Sequence, residues 1–200
     1  MDIPHRPDLS TLMTCAAGSQ PEALCAVITS CLAMCPASME KVTRMELIGV
    51  ALLDQMDPKP MTEPTAIILS GAERSEPNRN SHSKLPAPLR AVVGDSIDAL
   101  GWLDREQGVK YFSVPMSPTA QGRLELVNLA PGTKLPELAY AGEEYLLVVS
   151  GCCRRDGTRL ERGDFVESYE QSPYSLVAGD NGHCVLLIGH ERLPNQPIRH

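Results

Sequence analysis

Short runs of β-favouring residues, punctuated by turn signals, constrain the fold of this chain more than any other feature. From residue 85 onward the runs read VKYFSVPM, RLELVNLA, EEYLLVVSG, TRLERGDFVE and HCVLLIGH. Turn signals occur at Pro131-Gly132, Asp156-Gly157, Arg162-Gly163-Asp164 and Asp180-Asn181-Gly182. Closely spaced strands without intervening helices predict a barrel or sandwich over residues 85–200.

The first part of the chain has a different period, because its apolar residues recur at helical spacing. Three helices are predicted, in PDLSTLMTCAAG, SQPEALCAVITSCLAM and SMEKVTRMELIGVALLDQM. Asp8 or the proline before it opens the first helix, and Gly18 closes it. Ser19 is predicted to open the second helix, which stops near Cys35-Pro36. Residues 1–62 are therefore predicted to form a small helical domain.

Residues 63–84 are poor in apolar side chains and contain the polar run ERSEPNRNSHSK. At most one short helix is predicted there, near TAIILSGAE. The rest is predicted to be a flexible linker, because it buries too little surface to offset its ordering entropy.

Charge and composition exclude several classes of protein. The formal net charge of -7 argues against direct nucleic-acid binding, which needs a basic surface. No apolar run approaches the roughly 20 residues that cross a bilayer, and the start, MDIPHRPDL, lacks the apolar segment of a secretory signal. We therefore expect a cytoplasmic protein whose seven cysteines stay reduced. Cys152 and Cys153 adjoin in a predicted strand, so one is expected to face inward and the other outward.

The glycines and one acid of the strand-rich region keep a defined spacing. The frame G-x5-H-x-H-x3-E-x6-G fits at Gly132, Leu138, Tyr140, Glu144 and Gly151, with other residues at both histidine positions. This frame resembles the first motif of the cupins. The second cupin motif, started at Gly163, places Tyr174 where a histidine is expected.

The site that this resemblance implies has lost its metal chemistry. A cupin metal is held by imidazoles and one carboxylate, and of these only Glu144 remains. Leu138 has no donor atom, and a phenol with a pKa near 10 ligates divalent ions poorly. No metal is therefore expected in the barrel. We hypothesise that Tyr140 and Tyr174 turn inward and donate hydrogen bonds toward Glu144.

A more specific resemblance covers nearly all of the chain from residue 85 to about 189. The segments LPAPLRAVVGDSIDALGW, GVKYFSVP, RRDGTRLERGDFVES and GHCVLLIG are similar to the cupin-containing, zinc-binding anti-sigma factors of the ChrR type. The resemblance implies an α+β multidomain chain, in which a helical anti-sigma head precedes a cupin (RmlC-like jelly-roll) β-barrel.

In that family the head binds zinc through a histidine near the N-terminus and an H-x3-C-x2-C motif. By position this chain offers His5, Cys31 and Cys35, while Ser38 replaces the last cysteine. Three ligands fall short of the four that structural zinc prefers, and a serine hydroxyl is a poor substitute. Cys15 or Cys25 supplies a fourth only if its helix turns it inward. The alternative is a helical bundle in which these cysteines are small buried hydrophobes.

The function that the resemblance implies is regulatory rather than enzymatic. The head would sequester an extracytoplasmic-function sigma factor, and the barrel would modulate that complex in response to a stress signal. Leu9, Leu12 and Met13 on the first helix either belong to this interface or belong to the core.

Two other functions are retained as alternatives. A non-catalytic cupin would bind a small molecule or form a homodimer. A cupin enzyme would need a metal or an acid–base pair inside the barrel, where only Glu144 with Tyr140 is available.

Overall fold

The computed structural model describes residues 5–57, 85–136, 141–169 and 173–192. Residues 5–57 of the head form three helices, α1 (Leu9–Ala16), α2 (Glu22–Met34) and α3 (Pro36–Leu53). The predicted cap of α1 is confirmed, because the Asp8 carboxylate accepts a hydrogen bond from the Thr11 amide at 2.8 Å. The break after α2 lies at Cys35, and Pro36 occupies the first turn of α3, where its missing N–H costs nothing.

The start of α2 differs from the prediction. Ser19 does not cap this helix, which begins at Glu22 after Pro21. The Ser19 hydroxyl instead donates to the carbonyl oxygen of Thr14 at 3.1 Å, so it finishes α1. Ser19 thus hydrogen-bonds the C-terminal end of α1 and does not cap the N-terminal end of α2. The sequence around it does not distinguish these two roles.

Residues 85–101 also differ from the prediction, since they begin with a helix and not with strands. Helix α4 (Ala87–Val93) and a 3₁₀ turn (Ile97–Ala99) lead into the first strand. Leu89 is buried and packs in the same apolar cluster as the side chains of α2. A short apolar run such as PLRAVV is compatible with either structure, and packing against α2 decides it. The predicted linker and short helix lie outside the described residues.

The described residues of the β domain form ten strands, β1 (Leu103–Glu106), β2 (Val109–Ser113), β3 (Arg123–Leu129), β4 (Lys134–Leu135), β5 (Ala141–Ser150), β6 (Cys152–Arg155), β7 (Thr158–Glu161), β8 (Phe165–Tyr169), β9 (Leu176–Ala178) and β10 (Cys184–Arg192). The larger sheet has the order β1-β2-β3-β10-β5-β8, and the smaller has the order β4-β9-β6-β7. All the strand pairs are antiparallel. The predicted strand-rich architecture is therefore confirmed as two antiparallel sheets.

The run TRLERGDFVE forms two strands, which the predicted turn at Arg162-Gly163-Asp164 divides and which belong to different sheets. Strand β7 pairs with β6 in the smaller sheet, while β8 pairs with β5 in the larger one. Gly163 lies between them with φ +94°, a conformation that glycine adopts without steric cost. This turn carries the chain from one sheet to the other.

The space between the two sheets is an aliphatic core. Alternate residues of β10, such as Leu186 and Ile188, point into it and are fully buried. Cys153 also lies in this core at 1% exposure, whereas Cys152 is only half-buried. The predicted in-and-out arrangement of the two cysteines is thus confirmed.

The helices of the head cover the opposite face of the larger sheet. Val27 of α2 and Leu187 of β10 are both fully buried in one cluster that contains residues of the head and of the sheet. Gly189 allows the close contact: a Cβ at this position would lie 2.7 Å from the carbonyl oxygen of Ala23. The head and the larger sheet therefore share a hydrophobic core.

Within the described residues, no single helix is long and apolar enough to cross a membrane. Helices α2 and α3 satisfy the length and composition criteria only when taken together, and they are bent by 118° at the break between them.

Candidate functional site

A row of polar side chains crosses the larger sheet on the face that points between the sheets. Glu144 of β5 lies directly opposite His190 of β10 on one side and Ser168 of β8 on the other. Arg123 of β3 lies opposite His190 and continues the row. Glu144 is 0% exposed and His190 is 4% exposed, so both are withdrawn from solvent.

Glu144 and His190 are close enough to interact electrostatically. The Nδ1 atom of His190 lies 3.5 Å from Oε2 of Glu144. Burial raises the pKa of Glu144 to about 7, against the opposing effects of the nearby Tyr174 hydroxyl and the charge of Arg155. Burial also lowers the pKa of His190 to about 4, and the positive charge of Arg123 acts in the same direction. The structure therefore favours a neutral imidazole beside a carboxyl group that titrates near neutral pH.

Arg155 of the smaller sheet reaches across to this row. Its Nη2 atom donates a hydrogen bond to the Ser168 hydroxyl at 2.6 Å. Its guanidinium also stacks 3.9 Å from the centroid of the Tyr174 ring. Arg155 thus links the two sheets at the polar cluster formed by Glu144, Ser168, Tyr174 and His190.

The structure describes two of the four predicted cupin site residues, Glu144 and Tyr174. Tyr174 lies close enough to Glu144 to lower its pKa, while the hydrogen bond that the hypothesis places between them stays a prediction. Leu138 and Tyr140 lie outside the described residues, so their part of the hypothesis stays a prediction. His190 and Arg155 were not predicted as site residues. The signal for His190 is its alternation with Leu186 and Ile188, which places it on the inward face of β10.

The cysteine positions of the head lie where α2 meets α3. Cys31 is fully buried and Cys35 is 8% exposed. The guanidinium of Arg6 donates a hydrogen bond to Sγ of Cys35, and the Ser38 hydroxyl lies 3.3 Å from the same sulfur. Burial acts to raise the pKa of Cys35, but the Ser38 hydrogen bonds and the Arg6 charge outweigh it and lower the pKa.

This arrangement does not fit the four-ligand shell of structural zinc. A guanidinium supplies the positive charge beside Cys35 that a metal ion would otherwise supply. Among the described residues, which include His5, no three histidine, cysteine or acidic side chains are grouped so that they could hold a metal ion. The predicted ligands His5, Cys31 and Cys35 are not grouped in this way, and zinc binding by them stays a prediction.

Helix α3 carries a surface of large apolar side chains that no described residue covers. Six of them, the α3 surface, lie at its C-terminal end and just beyond it and are between 54% and 66% exposed: Leu47, Ile48, Val50, Leu52, Leu53 and Met56. On α1, Leu12 is buried in the core, while Leu9 and Met13 are exposed at 59% and 56%. Of the apolar residues of α1, Leu12 thus belongs to the core, whereas Leu9 and Met13 are exposed as an interface would require.

Comparisons with known proteins give a consistent result. No protein-family model matches the chain. The anti-sigma-E factor ChrR of Cereibacter sphaeroides is 25% identical over 192 residues, which cover 94% of this chain and 89% of that protein.

Solved structures add a comparison of folds. The structure of Rhodobacter sphaeroides SigE in complex with the anti-sigma ChrR matches 94% of this chain and 100% of the matched chain, with a TM-score of 0.78 and 23% identity. KdgF from a Halomonas species matches 50% of this chain and 94% of that chain, with a TM-score of 0.41 and 19% identity. The predicted α+β organisation, a helical head followed by a β domain of two antiparallel sheets, is confirmed. In sequence and in fold, this chain is a homologue of ChrR over nearly its whole length.

Proposed function

We propose that this protein is an anti-sigma factor whose helical head sequesters an extracytoplasmic-function sigma factor. The similarity to an anti-sigma-E factor along nearly the whole chain supports this assignment. The β domain modulates the complex, and the protein acts by binding and not by catalysis. Since sigma factors work with RNA polymerase, the site of action is the cytoplasm.

The observation that carries the proposal is the α3 surface. Its six large apolar side chains lie within ten consecutive residues and are all more than half exposed. Burial of one such side chain in an interface is worth about 1.5–3 kcal/mol, so leaving six of them in water is unfavourable. Large apolar side chains left exposed together around one end of a helix are typical of an interaction site.

The charge around the α3 surface favours a protein partner over a lipid surface. From residue 45 to residue 57 the chain contains Glu46, Asp54 and Asp57 and no lysine or arginine. Helices that lie on membranes carry lysines and arginines that pair with anionic lipids. An apolar surface flanked by acids instead complements an apolar patch flanked by basic residues on another protein.

The proposal is tested by substitution within the α3 surface. The full chain is co-expressed with a sigma factor encoded beside it, and the affinity of the purified pair is measured. The double variant Leu52→Asp/Leu53→Asp should weaken binding by about 100-fold or more, because it places two charges in an apolar contact. Both side chains are exposed in the free protein, so its helix content should not change.

Leu103→Asp is the matched control. Leu103 is 60% exposed, which is comparable to Leu52 and Leu53, but it lies on strand β1. This variant should bind as tightly as the wild type. Equal affinities for wild type, control and double variant would refute the role of the α3 surface, and failure of the wild type to co-purify would refute the sigma factor as the partner.

A further inference from the structure

Two cysteines outside the predicted metal site lie next to each other in the head. Cys15 is in the last turn of α1 and Cys25 is near the start of α2, and their sulfur atoms are 4.0 Å apart. Both residues are half-buried, so the pair is not sealed inside the core. The pair therefore combines proximity with access.

The rest of the chain offers a natural contrast. Cys153 and Cys184 also pair with each other, but they lie between the sheets at 1% and 0% exposure. Cys152 is half-buried, as Cys15 and Cys25 are. Among the paired thiols that the structure describes, only those of Cys15 and Cys25 are within reach of a solute.

We propose that Cys15 and Cys25 are a redox-active dithiol that peroxide converts into an intramolecular disulfide. A disulfide needs the sulfurs about 2 Å apart, so the pair must close a gap of roughly 2 Å. Both residues lie near helix ends that flank the turn at Gly18, where side-chain rotation and a small shift of α1 can supply this movement.

The two sulfurs have unequal roles. The hydrogen bond from Cys15 lowers the pKa of Cys25 to about 7, while the same bond raises the pKa of Cys15. The carboxylate of Glu22 raises the pKa of Cys25, and that of Glu46 raises the pKa of Cys15. The thiol of Cys15 is therefore the group that stabilises a negative charge on Cys25. Cys25 also lies near the N-terminal end of α2, whose dipole favours a thiolate, whereas Cys15 lies in the last turn of α1, so we assign Cys25 as the nucleophile and Cys15 as the resolving thiol.

The reaction balances with hydrogen peroxide as the oxidant. The Cys25 thiolate attacks one peroxide oxygen, the O–O bond breaks, and the departing hydroxide takes up a proton to leave as water, which makes Cys25 a sulfenic acid. The sulfur of Cys15 then attacks the Cys25 sulfur, the S–O bond breaks, and the hydroxyl leaves as water with the proton of Cys15. Two thiols and one peroxide give one disulfide and two waters, so the sulfurs lose two electrons and the peroxide gains them.

The reaction needs no protein partner, so it is independent of sigma-factor binding. The reduced full chain is treated with one equivalent of hydrogen peroxide, alkylated, and analysed by intact mass and peptide mapping. We expect a monomer about 2 Da lighter before alkylation, five of the seven thiols labelled, and a peptide linking Cys15 to Cys25 that dithiothreitol separates.

Three variants assign the roles. Cys25→Ser should slow the reaction with peroxide at least about tenfold, because the low-pKa thiol is gone. Cys15→Ser should stop at a Cys25 sulfenic acid that dimedone traps, because no resolving thiol remains. Cys152→Ser, which removes a thiol of similar exposure, should leave the yield of the disulfide unchanged. Full alkylation of both Cys15 and Cys25 after treatment, or a disulfide that maps to Cys31 and Cys35, would overturn the proposal.

Discussion

Glu144 and His190 are ionisable side chains enclosed between two sheets, where most proteins place aliphatic ones. Each avoids a buried charge by a shift of its pKa, and the two shifts run in opposite directions. Because a pKa that differs between the folded and unfolded chain makes stability depend on pH, the pair leaves a measurable signature.

The first prediction concerns this pH dependence. The unfolded pKa values are near 4.5 for Glu144 and 6.5 for His190, against about 7 and about 4 in the folded chain. As pH rises from 4.5 to 7, only the folded state retains the Glu144 proton, so Glu144 makes stability fall. As pH rises from 4 to 6.5, only the unfolded state retains the His190 proton, so His190 makes stability rise. The two contributions oppose each other in the wild type.

Substitution of either residue should expose the contribution of the other. Relative to the wild type, Glu144→Gln should gain stability as pH rises from 4.5 to 7, by an amount on the order of 3 kcal/mol, because the opposing Glu144 contribution is absent. His190→Gln should instead lose stability relative to the wild type as pH rises from 4 to 6.5. Urea denaturation at a series of pH values measures both. Parallel curves for both variants and the wild type would contradict the assigned pKa shifts.

The second prediction concerns the environment of Cys35. Because the Arg6 guanidinium already places a positive charge beside the Cys35 sulfur, we expect the head to keep its helices without zinc. Circular dichroism of the purified protein before and after a chelator should show unchanged helix content, and metal analysis should show less than one zinc per chain. Stoichiometric zinc together with loss of helix on chelation would instead support the ligand set His5, Cys31 and Cys35.

Sequence reasoning identified Glu144 because its spacing from flanking glycines is a local property of the chain. His190 and Arg155 were missed for a physical reason. Period-two alternation gives the face of His190 but not its partner, because the register of β10 against β5 depends on the whole sheet. Arg155 comes from the other sheet, and its contact with Ser168 exists only once the sheets have packed together.

At the scale of elements, helix α2 of the head packs against strand β10 of the β domain. Gly189→Ala should separate them, because the new Cβ would lie 2.7 Å from the Ala23 carbonyl oxygen and 2.9 Å from a methyl group of Val27. We expect a loss of about 1–3 kcal/mol in the free energy of unfolding, the usual cost of overpacking. Urea denaturation measures it.

Gly49→Ala is the matched control for this third prediction. Gly49 lies within α3, and a Cβ there meets nothing within 4 Å. The substitution should therefore stabilise the protein by about 0.5–1 kcal/mol, since alanine is the better helix former. Equal effects of the two substitutions would show that the contact of Gly189 with α2 is not close.

The elements were predictable where local signals agree. The Asp8 cap, the break at Cys35-Pro36 and the glycine turns are encoded in a few neighbouring residues. The helix Ala87–Val93 was not predicted, because its apolar run has no clear period and its burial depends on α2. The local turn signal at Arg162-Gly163-Asp164 divides TRLERGDFVE into two strands, but their placement in different sheets depends on packing that no local pattern contains.

At the scale of the whole molecule, the head and the larger sheet share one cluster of buried side chains. A single core predicts one cooperative unfolding transition. Far-ultraviolet circular dichroism, which reports the helices, and the fluorescence of Trp102, which packs against the same cluster at the entry to the β domain, should give coincident urea curves. Two separated midpoints would contradict this fourth prediction and indicate that the two parts unfold independently.

The covering of the larger sheet by α2 has a practical consequence for work with fragments. A piece beginning at residue 85 would present Leu124, Leu147, Phe165 and Leu187 to water, all of which are at most 3% exposed in the full chain. An exposed apolar sheet face of this kind promotes self-association. The isolated head would likewise expose the apolar side chains of α2 that the sheet covers in the full chain. Expression trials are therefore best begun with both parts on one polypeptide, or with the two parts produced together so that each shields the other.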